Sequence, residues 1–173
     1  GGGGGGRIAL HFNELSSDIM ITSTGGTNVG CNEYGGAGTI YLVNKSTNET
    51  TWIVDNAKSS ITNVYDTPFY SNWFPEITTH FHVIGGSIVV FYTNEIFVST
   101  TFSLDLTSSV QCSDTCIFNM TTFSEIIIGG KLLSTYFNAT ANSFKIEPSG
   151  KLEIFNIFFA IYSTNSLQSK RIT

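Results

Sequence analysis

Charged side chains, and arginine above all, are scarce in this chain of 173 residues. Only 12% of the residues are charged, the net charge is −5, and the only arginines are Arg7 and Arg171. Binding to nucleic acid needs clustered cations that displace counterions, and docking on an anionic lipid surface needs a similar basic patch. The composition therefore excludes a nucleic-acid-binding protein and a polybasic membrane-surface protein.

Long apolar runs are also lacking. A membrane-spanning helix needs about 18 or more nearly uninterrupted apolar residues, and the most apolar stretch, residues 152–162, contains Glu153 and Asn156. The chain begins with six glycines, without the charged and apolar regions of a signal peptide. We expect no membrane insertion within this segment, and we expect the segment to be a fragment of a longer polypeptide.

The residues that are abundant favour β-structure. Hydrophobic residues make up 41% of the chain, and β-branched and aromatic side chains, which suit a pleated sheet, are frequent among them. Pairs of small residues precede apolar runs, as at Gly35-Gly36, Gly85-Gly86 and Gly129-Gly130, and no window of 12 residues has a convincing helical period. The spacing of these pairs is irregular, so no repeat of fixed period is predicted.

This pattern predicts an all-β fold, a parallel, right-handed β-helix or β-solenoid of the pectin-lyase-like kind. Glycine pairs would turn the chain at the corners, and each coil would hydrogen-bond to the next. Residues 1–173 would form a single segment of a longer solenoid. Prolines at 68 and 75 predict that residues 65–76 form a long loop packed by its own aromatic rings. Further strands are predicted at 18–23, 51–54, 78–83, 95–99, 102–106, 117–120 and 145–146.

Four Asn-x-Ser/Thr sequons indicate a secreted, N-glycosylated protein. An alternative is that a chain rich in Asn and Thr forms such triplets by chance. The sequons begin at Asn44, Asn48, Asn119 and Asn138.

Three cysteines bear on the same question. Cys112 and Cys116 enclose a short polar loop, and a disulfide between them would form in an oxidising compartment. Two free thiols are the alternative, and Cys31 would be buried or would pair outside this fragment. Two cysteines at this spacing lack the other two ligands of a zinc site.

The segments GGGGGGRIAL at 1–10, NVGC at 28–31 and GGAGTIY at 35–41 resemble a block in large glycine-rich extracellular proteins of plants and protists. In that family a glycine run and a strand lead to a Gly-Cys step and then to a Gly-Ala-Ala-Gly-Thr-aromatic strand. This chain departs from the pattern at Ala37-Gly38. The similarity continues through WIVDNA, YSNW and GGSI and covers about the first 110 residues, while residues 111–173 have only a general solenoid character.

The resemblance implies a parallel β-helix ectodomain at the cell surface, in a membrane-anchored parent protein, and it supplies no catalytic residues. The sequence lacks the Asn-Thr-Asp, Asp-Asp, Gly-His-Gly and Arg-x-Lys motifs of pectin-type hydrolases. Carboxylates at Asp18, Asp55, Asp66, Asp105 and Asp114 are scattered singly, although glycosidases need two held about 5 to 10 Å apart. We expect no catalytic residue, no metal site and no cofactor.

His80 and His82 are two residues apart on a predicted strand, so they would share one face. Two imidazoles so placed could share a metal ion or a substrate. The alternative is a solvated strand face that also carries Thr78, with Phe81 and Val83 pointing inward. Aromatic residues at 65, 69, 70, 73 and 74 could line a sugar platform, or they could bury the loop against the solenoid. Candidate ligand contacts are His80, His82 and Trp73.

These observations predict a non-enzymatic extracellular segment with a structural or adhesive role in a larger glycoprotein. Expected partners are neighbouring domains of the same chain and cell-surface or matrix glycans or proteins. The main alternative is a carbohydrate-binding or carbohydrate-active domain, related in function to polysaccharide lyases or hydrolases. A receptor-like domain for a protein partner is a third hypothesis.

Overall fold

The computed structural model describes residues 3–28, 33–57, 64–70, 78–92, 95–112, 117–121, 125–141 and 143–161. Within these ranges the chain forms fifteen β-strands and no helix, so no helix there could cross a membrane. The strands are β1 (Arg7–Phe12), β2 (Thr27–Asn28), β3 (Glu33–Tyr34), β4 (Gly38–Asn44), β5 (Glu49–Asp55), β6 (Thr67–Tyr70), β7 (Thr78–Ile84), β8 (Ile88–Tyr92), β9 (Glu95–Leu104), β10 (Ser109–Cys112), β11 (Ile117–Thr121), β12 (Glu125–Ile128), β13 (Lys131–Ala141), β14 (Ser143–Ile146) and β15 (Lys151–Ile161).

Most strands pair in parallel, and their pairs form three rows. Row A contains β5, β7, the second half of β9, β12 and β14. Row B contains β6, β8, β10 and the first parts of β13 and β15. Row C contains the first half of β9, β11 and the later parts of β13 and β15. The long strands β9, β13 and β15 therefore each continue from one row into another.

From β7 onward the chain visits the rows in the order A, B, C and then begins again. Partners on successive visits are about one circuit apart in sequence, as for His82 and Ser103 or Ser87 and Ser108, both separated by 21 residues. The circuit length varies, because Thr101 pairs with Glu125, 24 residues later, while Glu125 pairs with Ser143, 18 residues later. Parallel strands joined by such crossovers satisfy their backbone groups through the next circuit.

The N-terminal part is mixed rather than uniformly parallel. β1 pairs with β4 in parallel, but β4 and β5 form an antiparallel hairpin, and β2 pairs with β3 in the same antiparallel way. The hairpin turn contains Asn48 at φ 56°, a left-handed conformation that Asn adopts more readily than most residues. The expectation of parallel pairing throughout is therefore wrong for this hairpin.

The core lies between the rows and is built from columns of like residues. In row A, Trp52, Phe81 and Phe102 are register partners, and the ring centroids of Phe81 and Phe102 lie 6.1 Å apart with nearly parallel planes. Phe69 and Phe91 of row B pack against Phe81 at centroid distances of 5.7 and 5.5 Å. A second column, made of fully buried aliphatic side chains, contains Val54, Val83, Leu104 and Ile128.

Glycines at the row A to row B corners have two separate roles. Gly85 and Gly86 adopt φ of 66° and 69°, a conformation that glycine reaches without strain and that turns the chain as predicted. Gly130 and Gly150 instead lie so close to the preceding circuit that a Cβ would collide with carbonyl oxygens there, those of Ser108 and Ile128 respectively. At these two corners a side chain is excluded by the stacking of one circuit on the next.

Two of the local predictions are wrong, and two of the predicted strands form a single strand. Residues 18–23, which were predicted as a strand, form neither a strand nor a helix. Within the predicted loop at 65–76, residues 67–70 form β6, whose Phe69 is fully buried. β6 is the last strand in the order of the sheet and so lies at an edge. Proline is tolerated on an edge strand because its missing N–H removes no hydrogen bond of the ladder. The strands predicted at 95–99 and 102–106 are one strand, β9, which ends at Leu104.

Candidate functional site

The outer face of row A brings His80 and His82 together on β7. Their rings lie nearly parallel, at an interplanar angle of 7°, with centroids 6.3 Å apart. Both residues are half-buried, while Phe81 and Val83 between and beyond them are fully buried. The predicted alternation on this strand is therefore confirmed for these four residues.

Thr78 departs from the predicted face. It is fully buried and pairs with Val98 in the first half of β9, whereas His80 pairs with Thr101 in the second half. Thr78 therefore lies at the row C end of β7, before the register shift, rather than on the outer face of row A. The expectation that Thr78 shares the solvated face of the two histidines is wrong.

His82 is held by the neighbouring strand. Its Nδ1 lies 2.6 Å from Oγ of Ser103, its register partner on β9. Burial lowers the pKa of His82 below its ordinary value, and the nearby imidazole of His80 lowers that pKa further. The imidazole is therefore favoured in its neutral form near pH 7, with one nitrogen bonded to Ser103.

A groove of about 690 Å³ lies at the end of row A, where one of its lining residues contacts His82. Ser103 lies on its wall, so the serine belongs to the groove as well as to the histidine pair. The groove is open and mainly apolar. Its apolar lining includes Ile84, Leu104, Leu106, Ile127 and Pro148.

The two carboxylates of the groove are already committed to neighbours. Asp105 accepts hydrogen bonds from the N–H groups of Gly85 at 2.7 Å and Thr107 at 3.0 Å, so it stabilises the corner. Glu147 forms an ion pair with Lys145 at 2.7 Å. Among the described residues, no three His, Cys, Asp or Glu side chains gather as a metal-binding group.

The described aromatic residues of the proposed sugar platform differ in their exposure to solvent. Phe69 belongs to the core, whereas Tyr65 and Tyr70 are exposed. Tyr70 stacks on Tyr92, its register partner, at a centroid distance of 5.5 Å and an angle of 20°. Tyr92 was missed from the sequence, because only the register of β6 against β8 brings it beside Tyr70. Trp73 and Phe74 lie outside the described residues.

Two of the four sequons lie in the β4–β5 hairpin. Asn44 ends β4, and its Oδ1 accepts a hydrogen bond from the N–H of Ser46 at 2.9 Å. Asn48 is exposed in the turn. The other two sequons lie inside strands, where Asn119 of β11 and Asn138 of β13 are register partners.

Cys112 is disulfide-bonded and buried at the end of β10. Both Cys31 and Cys116 lie outside the described residues, so the predicted pairing with Cys116 stays a prediction. A disulfide at this position suits an oxidising compartment.

Asn56 is a buried polar residue that sequence reasoning did not single out. Its Oδ1 accepts a hydrogen bond from the N–H of Gly25 at 2.8 Å, and its Nδ2 donates to the carbonyl oxygen of Gly35 at 3.3 Å. The side chain therefore joins two segments that precede it by 31 and 21 residues. The motif WIVDNA marks this position in the sequence, but only the structure reveals its partners.

Comparison with protein-family models, with curated proteins and with solved structures found no match to this chain. The resemblance to glycine-rich extracellular proteins therefore stays a prediction.

Proposed function

We propose that this chain is part of a parallel, right-handed β-solenoid in a glycine-rich extracellular glycoprotein, and that its role is structural or adhesive rather than enzymatic. The observation that supports this most is the cyclic order of the three rows, with partners near 21 residues apart. Parallel crossover connections are right-handed in nearly all known cases, which supports the handedness. Such stacks are rigid and extended, properties that suit a spacer or a surface for attachment.

Two observations support an extracellular location. In this proposal the parent protein is anchored in the membrane and the chain lies at the cell surface. Cys112 is disulfide-bonded, and structural disulfides are rare in reducing compartments. Asn48, the first residue of a sequon, is exposed at the hairpin tip, as a glycosylated asparagine has to be. Partners in this proposal are neighbouring domains of the same chain and glycans or proteins of the matrix or cell surface.

The non-enzymatic role is supported by the state of the acidic groups. Asp105 and Glu147, which share the groove, are bound to backbone donors and to Lys145 respectively. A carboxylate that accepts hydrogen bonds from backbone N–H groups at a corner, as Asp105 does, has a structural task, which supports the non-enzymatic proposal.

Expression in the secretory pathway tests the location and the glycan proposal together. The chain would be fused to a cleavable signal peptide, produced in eukaryotic cells and examined by glycopeptide mass spectrometry. We expect secretion with a glycan at Asn48, and loss of that glycan in Asn48→Gln. The matched control is Asn13→Gln, an asparagine outside any sequon, which should leave the glycan pattern unchanged. Retention of an unglycosylated, reduced protein inside the cell would contradict the proposal.

The adhesive part needs a separate assay. Beads coated with the secreted protein should attach to cells or to extracellular matrix. Beads coated with heat-denatured protein provide the control. Equal attachment by both preparations would refute specific adhesion.

Carbohydrate binding is a second candidate, favoured by one observation. Tyr70 and Tyr92 are exposed by 44% and 47% and are stacked side by side on the outer face of row B. Aromatic rings with hydroxyl groups offer both an apolar surface and hydrogen bonds to a sugar. On a glycan array, Tyr92→Ala should abolish any binding, while Tyr65→Ala, at an exposed tyrosine elsewhere, should not. Binding that survives both substitutions would place the glycan site away from this pair.

A further inference from the structure

Two of the three histidines of the chain lie side by side on the outer face of row A, and the third, His11, lies on β1. Neither the proposed structural role nor the neighbouring groove explains why two imidazoles lie together on this face. Imidazole nitrogen is a preferred ligand for Zn²⁺, Cu²⁺ and Ni²⁺. The pair therefore raises the question of a metal ion.

We propose that His80 and His82 form a two-histidine site for a divalent transition-metal ion of the zinc, copper or nickel class, with water completing the coordination.

The spacing of the two rings fits this assignment. Metal–nitrogen bonds to histidine are about 2.0–2.1 Å long, so two ligating nitrogens must come within about 4.2 Å of each other. In the structure the ring centroids are 6.3 Å apart and the planes are nearly parallel, so both rings must rotate before two of their nitrogens can share one ion. Both side chains are half-buried on the outer face, and rotation about their side-chain torsions is the movement that metal binding requires.

Ser103 prepares His82 for this role. Metal-bound histidines ordinarily use their second nitrogen to hydrogen-bond a neighbouring group, which orients the ring. In this structure Nδ1 of His82 lies 2.6 Å from Oγ of Ser103. When Nδ1–H donates to that hydroxyl, the lone pair of Nε2 is left for the metal. Ser103 is thus a positioning residue, and His80 and His82 are the ligands.

The surroundings also suit a cation. The register partners of the two histidines are uncharged on both sides: Thr51 and Thr101 flank His80, while Ile53 and Ser103 flank His82. No ammonium or guanidinium group among these partners opposes a bound cation. With only two protein ligands, the affinity should be modest.

Isothermal titration of the full, tag-free chain with ZnCl₂ tests the proposal, with long-range ¹H–¹⁵N spectra of the imidazoles as the second measurement. We expect one Zn²⁺ per chain and shifts of the ring nitrogens of His80 and His82, while those of His11 stay unchanged. His80→Gln and His82→Gln should each weaken binding at least tenfold. Ser103→Ala should weaken it by about 10- to 100-fold, as loss of an outer partner does elsewhere. His11→Gln is the matched control and should bind Zn²⁺ like the parent.

Circular dichroism of every variant establishes that the fold is retained. If His82→Gln fails to fold, His80→Gln and Ser103→Ala decide the question, because their side chains lie on the outer face. Three results would overturn the assignment: no Zn²⁺ binding at millimolar concentration, equal binding by the double variant of His80 and His82, or a shift of His11 alone. The last two would mean adventitious binding elsewhere on the surface.

Discussion

Phe81 shows how single residues hold the circuits together. Its ring is fully buried and packs against Phe69, Phe91 and Phe102, so it joins rows A and B and two successive circuits. Truncating a buried phenylalanine removes its transfer free energy and leaves a cavity. We expect Phe81→Ala to lower the free energy of unfolding by about 3–5 kcal/mol, measured by urea denaturation.

Leu106→Ala is the matched control for that measurement. Leu106 is also a large apolar residue, but 64% of its surface is exposed. Its truncation should change the free energy of unfolding by no more than about 0.5 kcal/mol. Equal losses in the two variants would mean that Phe81 is not in the core.

His82 should make stability depend on pH. Its pKa in the folded state is lowered by burial and by His80, so below about pH 6.5, the ordinary histidine pKa, the unfolded chain binds more protons than the folded one. The stabilising contribution is complete above that pH and is lost as the pH falls through the folded-state pKa. We expect the melting temperature of the parent to drop more steeply between pH 7.5 and about 5 than that of His82→Gln. Parallel curves for the two proteins would show that His82 titrates normally.

Residue orientation was predictable where strand alternation is regular. Phe81 and Val83 were placed inward from the pattern of β7 alone, and both are buried. Thr78 was misplaced because a register shift precedes His80, and a single sequence carries no signal for such an irregularity. The contact between His82 and Ser103 was not predicted either, because these two register partners are 21 residues apart in the sequence.

At the scale of elements, the corners decide how closely circuits approach. Gly130 lies between β12 and β13, where a Cβ would collide with the carbonyl oxygens of Ser108 and Asp105. Both are backbone atoms of the previous corner, so they cannot rotate away. We expect Gly130→Ala to destabilise the protein by about 1–3 kcal/mol or more, as overpacking does. The measurement is again urea denaturation.

Gly6→Ala is the control, because a Cβ there would meet no atom within 4 Å. It should leave the free energy of unfolding nearly unchanged. A small effect in both glycine variants would contradict the close stacking of corners.

The pairing of β11 with β13 constrains two sequons. Asn119 and Asn138 are register partners, so their Cα atoms lie about 4.8 Å apart across the sheet. Two branched glycans need more separation than that. We expect glycopeptide mass spectrometry of folded, secreted protein, digested so that each molecule is read intact, to show at most one of the two sites occupied per molecule. Frequent double occupancy would argue against this register.

Strands were predictable from runs of β-branched and aromatic residues. The runs at 51–54, 78–83 and 117–120 lie within β5, β7 and β11. Residues 18–23 have a similar composition but form no strand, and β6 was missed because Pro68 was interpreted as a breaker. Whether a strand lies at the edge of a sheet depends on the tertiary structure, and a proline on an edge strand does not have to end that strand.

At the scale of the whole molecule, composition and glycine pairs predicted an all-β chain with mostly parallel strands, and this is confirmed for the described residues. The antiparallel β4–β5 hairpin was not predicted. Its four-residue turn, with Asn48 in the left-handed region, has no glycine and so lacked the signal used for other turns. The candidate site was predicted only as two histidines on one face. Ser103 and the groove come from circuits that are distant in sequence.

The central claim is that successive circuits lie side by side in the same direction, and isotope-edited NMR at Val110 tests it most directly. Val110 lies in register between Val89 of the preceding circuit and Leu132 of the next. We predict nuclear Overhauser contacts from its methyl groups to both residues, without the strong Hα–Hα contacts of antiparallel pairs. The β4–β5 hairpin is the internal control, since it should show such Hα–Hα contacts. Strong Hα–Hα contacts at Val110, or no contact to Val89 and Leu132, would contradict the account.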